Sequence, residues 1–267
     1  MEITLLGTGN ALVTECYNTC FVISHDGKHF LVDGGGGNTL LAQLKHAGFH
    51  WMDMREIFVT HKHIDHILGI IWMMRMICQY MNQGQYQGEA NIYGHREVIS
   101  ILRQGADTLL KPKETRFIDE RLHLIVVEDG DVKNIMGREV AFFDIRSTKA
   151  KQFGFFMALS EGGKLTCCGD EPCPASLYDK VRDSRWLLHE AFCLYNERDI
   201  WHPYEKNHST AKDAAQLAEA LGIENLVLYH TEDSHMKERK ELYTKEAKQY
   251  FTGNIYVPDD LEVIACK

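Results

Sequence analysis

Three histidines and an aspartate fall within the six positions His61-Lys62-His63-Ile64-Asp65-His66, directly after the apolar run Ile57-Phe58-Val59. Neutral imidazole and carboxylate are the ligands a borderline dication such as zinc prefers. His61 and His63 lie two apart and can project the same way from an extended turn; a helical zinc-protease motif would set its histidines four apart. Asp65 and His66 follow as the chain bends toward a helix, so they can face a second metal. The cluster is read as a metal site rather than as histidines scattered over a surface loop.

The stretch Thr60-His61-x-His63-x-Asp65-His66 after an apolar strand resembles the signature of the metallo-β-lactamase superfamily. Other stretches resemble its ribonuclease Z and phosphodiesterase branch: Ile3-Thr4-Leu5-Leu6-Gly7-Thr8-Gly9-Asn10-Ala11, Phe30-Leu31-Val32-Asp33-Gly34-Gly35-Gly36, Cys168-Gly169-Asp170-Glu171, His189-Glu190-Ala191, His208-Ser209-Thr210 and Leu226-Val227-Leu228-Tyr229-His230. These blocks run in the family's order from residue 3 to residue 230.

The resemblance implies an α/β fold, an αββα sandwich of two mixed β-sheets flanked by helices, and a site of one or two zinc ions, with Mn2+ or Fe2+ as alternatives. His61, His63 and Asp170 would hold one metal; Asp65, His66, Asp170 and His230 would hold the other. A water or hydroxide between two such ions is the nucleophile, its pKa lowered toward neutrality, and Asp65 would orient it. By the same resemblance His208 touches the scissile phosphate and protonates the leaving oxygen, with Glu190 fixing its tautomer. His189 is read as buried and structural, and Asp33 as a brace for the ligand turn. Lys149 and Lys151 could supply charge to a phosphate or lie in a solvated loop, and Ser209 is a third candidate substrate contact. The glycine run Gly34 to Gly37 lacks the spacing of a phosphate-binding loop and reads as a tight turn.

One departure matters. The family supplies a further histidine to the first metal from a strand end before a Gly-Phe step, but Phe143 to Phe155 contains none. Arg146 or Thr148 stands about where the ligand would be, and an arginine stays protonated and cannot ligate. The first metal is therefore expected to bind weakly, to take extra water, or to be absent.

These ligands must be positioned by short elements. Strands are expected over 2–6, 19–24, 29–33, 56–60, 123–127, 139–146, 154–159, 164–168, 185–189, 225–229 and 254–257, each rich in Val, Ile, Leu or Phe and bounded by Gly, Asp or Asn. A helix begins at Thr210, where Thr210 and Asp213 form a capping-box-like pair and Gly222 stops it. A last helix near 234–251 carries Lys237, Glu238, Arg239, Lys240 and Glu241, read as a solvated face. The methionine-rich stretch Ile67 to Met81 is too short for a bilayer and reads as a buried or dimer-facing helix.

A chain of 267 residues, 45% hydrophobic and 25% charged, is expected to fold as one domain over 1–267. It opens on a strand-like segment without a secretory pattern, and its eight cysteines show no framework spacing, which predicts free thiols in the cytoplasm. Cys168 is read as a strand-core thiol. A net charge of −9 gives no long-range attraction for nucleic acid. The leading expectation is a metal-dependent phosphodiesterase acting on a small phosphoester, with no membrane role and with a homodimer open. The alternatives are a ribonuclease Z-like tRNA 3′-processing endonuclease with an RNA substrate, and a degenerate, non-catalytic regulatory protein. The endonuclease usually goes with a Gly/Pro-rich basic arm between the Gly-Phe strand and the Gly-Asp turn, where this chain has only a short connection.

Overall fold

The computed structural model describes residues 1–266. Contacts divide the chain into two compact units, each built on one seven-stranded mixed sheet. The chain changes unit four times, at 7/8, 16/17, 128/129 and 260/261.

In the first unit the strands are β1 (Glu2–Gly7), β2 (Cys20–His25), β3 (Lys28–Val32), β4 (Glu56–Val59), β5 (Ala90–Gly94), β6 (Leu122–Val126) and the chain-end strand β14 (Val263–Ala265), in the order β14-β1-β2-β3-β4-β5-β6. The β14-β1-β2-β3 half is antiparallel and β3 to β6 run parallel. Helices α1 (Thr39–His46), α2 (Ile64–Asn82), α3 (Arg96–Leu109) and α4 (Pro112–Thr115) belong to this unit. The second unit repeats the plan. Strands β7 (Val132–Ile135), β8 (Arg138–Asp144), β9 (Phe153–Ala158) and β10 (Lys164–Cys167) are antiparallel neighbours, while β10, β11 (Trp186–Glu190), β12 (Asn225–Tyr229) and β13 (Asn254–Tyr256) are parallel. Its helices are α5 (Tyr178–Val181), α6 (Arg198–Trp201), α7 (Ala211–Ala220) and α8 (Arg239–Ala247).

All eleven expected strands form within two residues of their expected ends, and β5, β7 and β14 are additions. Among the described residues no helix is long and apolar enough to cross a membrane. Helix α2 buries Ile67, Ile70, Met73, Met74, Ile77, Cys78 and Met81, a helical stripe that removes about 1.5–3 kcal/mol of apolar side chain from water per residue. Its other face leaves Ile64, Leu68 and Trp72 exposed. Helix α7 starts on the expected capping box, with Thr210 and Asp213 hydrogen-bonding each other's backbone N–H.

The charged run at the start of α8 is exposed at Lys237, Glu238, Lys240 and Glu241, as expected, but departs from expectation at Arg239. Arg239 is buried, not solvated: its guanidinium donates to Thr8 Oγ1 at 2.9 Å, Thr231 Oγ1 at 3.1 Å, the Pro258 carbonyl at 2.8 Å and Asp259 at 3.1 Å. Five donors in one planar group let it join segments distant in sequence.

Close packing in the first unit depends on glycine. A methyl group on Gly69 of α2 would lie 1.8 Å from the Gly34 carbonyl oxygen, and the two segments are joined by Gly34 N–H to the His66 carbonyl at 2.8 Å and Gly69 N–H to the Gly35 carbonyl at 3.0 Å. Gly69→Ala gains helix propensity of about 1 kcal/mol but must push the glycine turn away, an overpacking cost of roughly 1–3 kcal/mol or more. A thermal melt is expected to show net destabilisation; an unchanged or raised Tm would contradict this packing.

Candidate metal centre

The candidate chemistry of each unit sits at the carboxyl ends of parallel strands, where α/β sheets present ligands. In the first unit β3 leads into Asp33, and β4 runs into Thr60 and His61. Asp33 adopts a left-handed conformation, φ 59°, which aspartate tolerates better than most residues. Its buried carboxylate accepts the Thr60 N–H at 2.8 Å, the Thr60 hydroxyl at 2.7 Å and His66 Nδ1 at 2.8 Å. That last bond commits His66 Nδ1 as a donor and leaves Nε2 as the ring's lone-pair nitrogen, 3.4 Å from Asp65 Oδ2.

His63 caps α2, and Asp65 and His66 lie in the helix's first turn. His61 Nε2 and His63 Nδ1 approach to 2.8 Å with rings nearly perpendicular, and the His61 and His66 ring centroids are 4.2 Å apart. Two imidazole nitrogens converge on one point, and the proton they share must leave if both are to face a dication. Thr60 Oγ1 lies 3.0 Å from His61 Nδ1 and sets the tautomer that turns Nε2 toward that point. His61, Asp65 and His66 are buried and His63 is half-buried.

The second unit gathers Asp170, Glu190, His208 and His230, all buried. Asp170 follows β10; Glu190 ends β11; His230 follows β12 with φ 59°, a strained conformation for histidine of the kind held at functional sites. His230 Nε2 lies 3.6 Å from Asp170 Oδ2, the His208 and His230 rings are 5.3 Å apart, and one ligand atom each from Glu190, His208 and His230 lies within 4.8 Å of the others. His208 stacks on Phe192 at 4.8 Å, and its Nδ1 is 3.7 Å from Glu190 Oε2, beyond hydrogen-bond reach. Burial pushes the His208 pKa down to about 3, and His230 adds to that shift. An anion such as a phosphate diester beside it would favour the imidazolium form. Burial likewise raises Glu190 well above the usual carboxylate range, with Asp170 adding to the effect and bonds from Ser209 opposing it.

The Ser209 hydroxyl donates to Glu190, at 2.6 Å to Oε1, and its N–H reaches the same oxygen at 2.5 Å, so it holds that carboxylate. His189 is buried as expected, with Nδ1 2.7 Å from the Glu190 carbonyl and Nε2 accepting the Cys173 N–H at 3.2 Å. Lys149 and Lys151 are both exposed; Lys151 lies over the Phe153 ring, whereas Lys149 is close enough to act electrostatically on Glu171 and His208.

Arg146 does not take the place of the missing histidine. It is left-handed, φ 62°, its side chain is 62% exposed, and its guanidinium pairs with Asp129 at 2.9 Å. The residue that does meet Asp170 is Gln152, which sequence reasoning missed: its side-chain amide donates to Asp170 Oδ1 from a fully buried position. A lone amide at the head of the apolar segment Phe153-Gly154-Phe155-Phe156 was the available signal. Glu171 is a second omission, accepting from Ser147 at 2.8 Å and Asn207 at 2.6 Å. Arg146→His is therefore expected to leave the zinc content measured by elemental analysis unchanged; a gain of metal would show that position 146 reaches the site.

The donor sets fit a borderline dication, since imidazole nitrogens and carboxylate oxygens are what zinc takes, and Asp33 braces Thr60 and His66 from behind. Two mixed sheets flanked by helices also match solved structures. The metallo-β-lactamase fold protein YhfI from Bacillus subtilis aligns with a TM-score of 0.79 at 15% identity over 98% of both chains. The human tRNase Z, short form, aligns with a TM-score of 0.75 at 19% identity over 99% of both. A ribonuclease Z from Methanothermobacter thermautotrophicus is 27% identical, covering 100% of this chain and 97% of its own length. The protein is thus a metallo-β-lactamase-superfamily hydrolase, ribonuclease Z- and phosphodiesterase-like. Within that class, the family described as Anti-Pycsar protein Apyc1 matches residues 1–252, and this chain belongs to it.

Proposed function

We propose that the protein is a metal-dependent phosphodiesterase of small phosphodiesters, with both units serving one hydrolase domain over 1–267. The observation that carries the preference for a small substrate is the β9–β10 connection. Leu159 to Gly163 close it as a tight hairpin, with the Leu159 N–H bonded to the Gly163 carbonyl at 3.1 Å and the Gly162 N–H to the Leu159 carbonyl at 3.3 Å. No room is left there for the protruding arm that the ribonuclease Z resemblance would call for, and the net charge of −9 works against RNA.

In this reading His61, His63, Asp65, His66, Asp170 and His230 hold one or two zinc ions. The bound metal supplies Lewis-acid stabilisation of phosphoryl oxygens and a nucleophile available at neutral pH. Asp65 orients the attacking water, and Gln152 fixes the rotamer of Asp170 through its amide. His208, pressed against Phe192, delivers a proton to the leaving oxygen once the substrate's charge has raised its basicity. Lys149 adds positive charge beside His208 and Glu171. The eight cysteines, none of them bridged, support a cytoplasmic setting.

The ribonuclease Z relative supports precursor tRNA as the second reading. The two separate in a direct comparison of kcat/KM on bis-p-nitrophenyl phosphate and on a 3′-extended precursor tRNA. Metal-dependent turnover of the small diester with no site-specific tRNA cleavage is expected. Cleavage of the tRNA at its 3′ boundary without turnover of the diester would reverse the assignment.

A further inference from the structure

The second unit holds another cluster of ligand-type side chains, none of which the proposed chemistry uses. Glu197 closes the 3₁₀ turn Tyr195–Glu197, and Glu232 and His235 follow His230 in the next loop. One ligand atom from each lies within 4.8 Å of the others. His235 Nε2 is 2.7 Å from Glu197 Oε1, while Glu197 Oε2 is shut off from solvent and accepts no hydrogen bond. Glu232 is buried; its Oε2 accepts the Ser234 N–H at 2.6 Å, and its Oε1 lies 3.4 Å from the Tyr243 hydroxyl. Both carboxylates thus lie in one cluster with the His235 imidazole.

We propose that Glu197, Glu232 and His235 form a second zinc site separate from the residues assigned to catalysis. One imidazole nitrogen and two carboxylate oxygens are a set that zinc takes, and three protein ligands leave a position for water. The charge balance points the same way. Two carboxylates face one histidine, and their combined field helps push the neighbouring Cys193 thiol up to about 12, after burial as the larger cause. A dication offsets that excess where a single histidine proton cannot. The site would tie the segment leading to His208 to the turn that follows His230, so both proton donor and ligand would gain a common brace. Zinc binding to the folded chain alone would also stabilise it by mass action.

The test reads zinc rather than turnover, so it stands or fails independently of the phosphodiesterase assignment. Crystals of the zinc-loaded protein, measured on both sides of the zinc absorption edge, are expected to show an anomalous peak in contact with Glu197, Glu232 and His235. In solution, His235→Ala and Glu232→Gln are each expected to lose one equivalent of zinc and part of the zinc-induced rise in Tm. A map without that peak, together with unchanged zinc content in either variant, would leave a plain His235–Glu197 ion pair and overturn the proposal. The crystal measurement decides even if a variant fails to fold.

Discussion

Replacing His208 with alanine is expected to lower kcat on bis-p-nitrophenyl phosphate by roughly 10²–10⁴-fold, the usual contribution of a positioned general acid, while leaving the metal content intact. The expectation follows from its placement: buried, stacked on Phe192 at 4.8 Å, and in the same cluster as His230 and Glu190. Glu190→Gln sharpens the test. Its oxygen could still accept both Ser209 bonds, at 2.5 Å and 2.6 Å, so the fold should survive while the carboxylate's influence on His208 is removed. Elemental analysis and initial rates measured side by side distinguish the roles. A loss of metal in His208→Ala would make this histidine a ligand instead.

Asp33→Ala should be nearly as severe, by a different route. It strands three buried donors, the Thr60 N–H and hydroxyl and His66 Nδ1, at a cost of about 1–3 kcal/mol for each group left unpaired. Loss of an outer-shell partner of this kind weakens metal affinity by roughly 10–100-fold. Asp33→Asn separates the two effects, because asparagine tolerates the left-handed backbone and keeps an acceptor while losing the charge. Its thermal melt should lie between wild type and alanine, and its zinc affinity by calorimetric titration should fall. Unchanged affinity in Asp33→Asn would confine Asp33 to a folding role.

The sequence was most legible where chemistry and periodicity coincide. The cluster from His61 to His66 announces itself because few structural needs put so many ligand side chains at the end of one strand. Strands such as Leu226-Val227-Leu228-Tyr229 are apolar on both faces and stand out for the same reason. Strand β5, Ala90-Asn91-Ile92-Tyr93-Gly94, was invisible because it alternates weakly and ends in glycine; parallel pairing with β4 and β6 makes it a strand. Strand β7 is a short edge strand with Lys133 and Asn134 at its centre, and β14 has only three residues. Arg239 shows how a charge run misleads, since helical spacing cannot reveal that Thr8 and Pro258 lie within its reach. Arg146 and Gln152 make the complementary point. Position relative to a motif pointed to Arg146 or Thr148, whereas the turn at φ 62° sends Arg146 to Asp129 and a glutamine six residues later meets Asp170.

The central claim is that hydrolysis depends on bound metal held by these residues. It is tested most directly by following bis-p-nitrophenyl phosphate hydrolysis and metal content together, through chelation, dialysis and stepwise return of Zn2+ or Mn2+. Activity is expected to vanish with the metal and to return in proportion to the equivalents rebound, with neither return nor rebinding in a His61→Ala/His63→Ala/His230→Ala variant that remains folded by circular dichroism. Full activity in protein stripped of metal, or full recovery in that variant, would contradict the account.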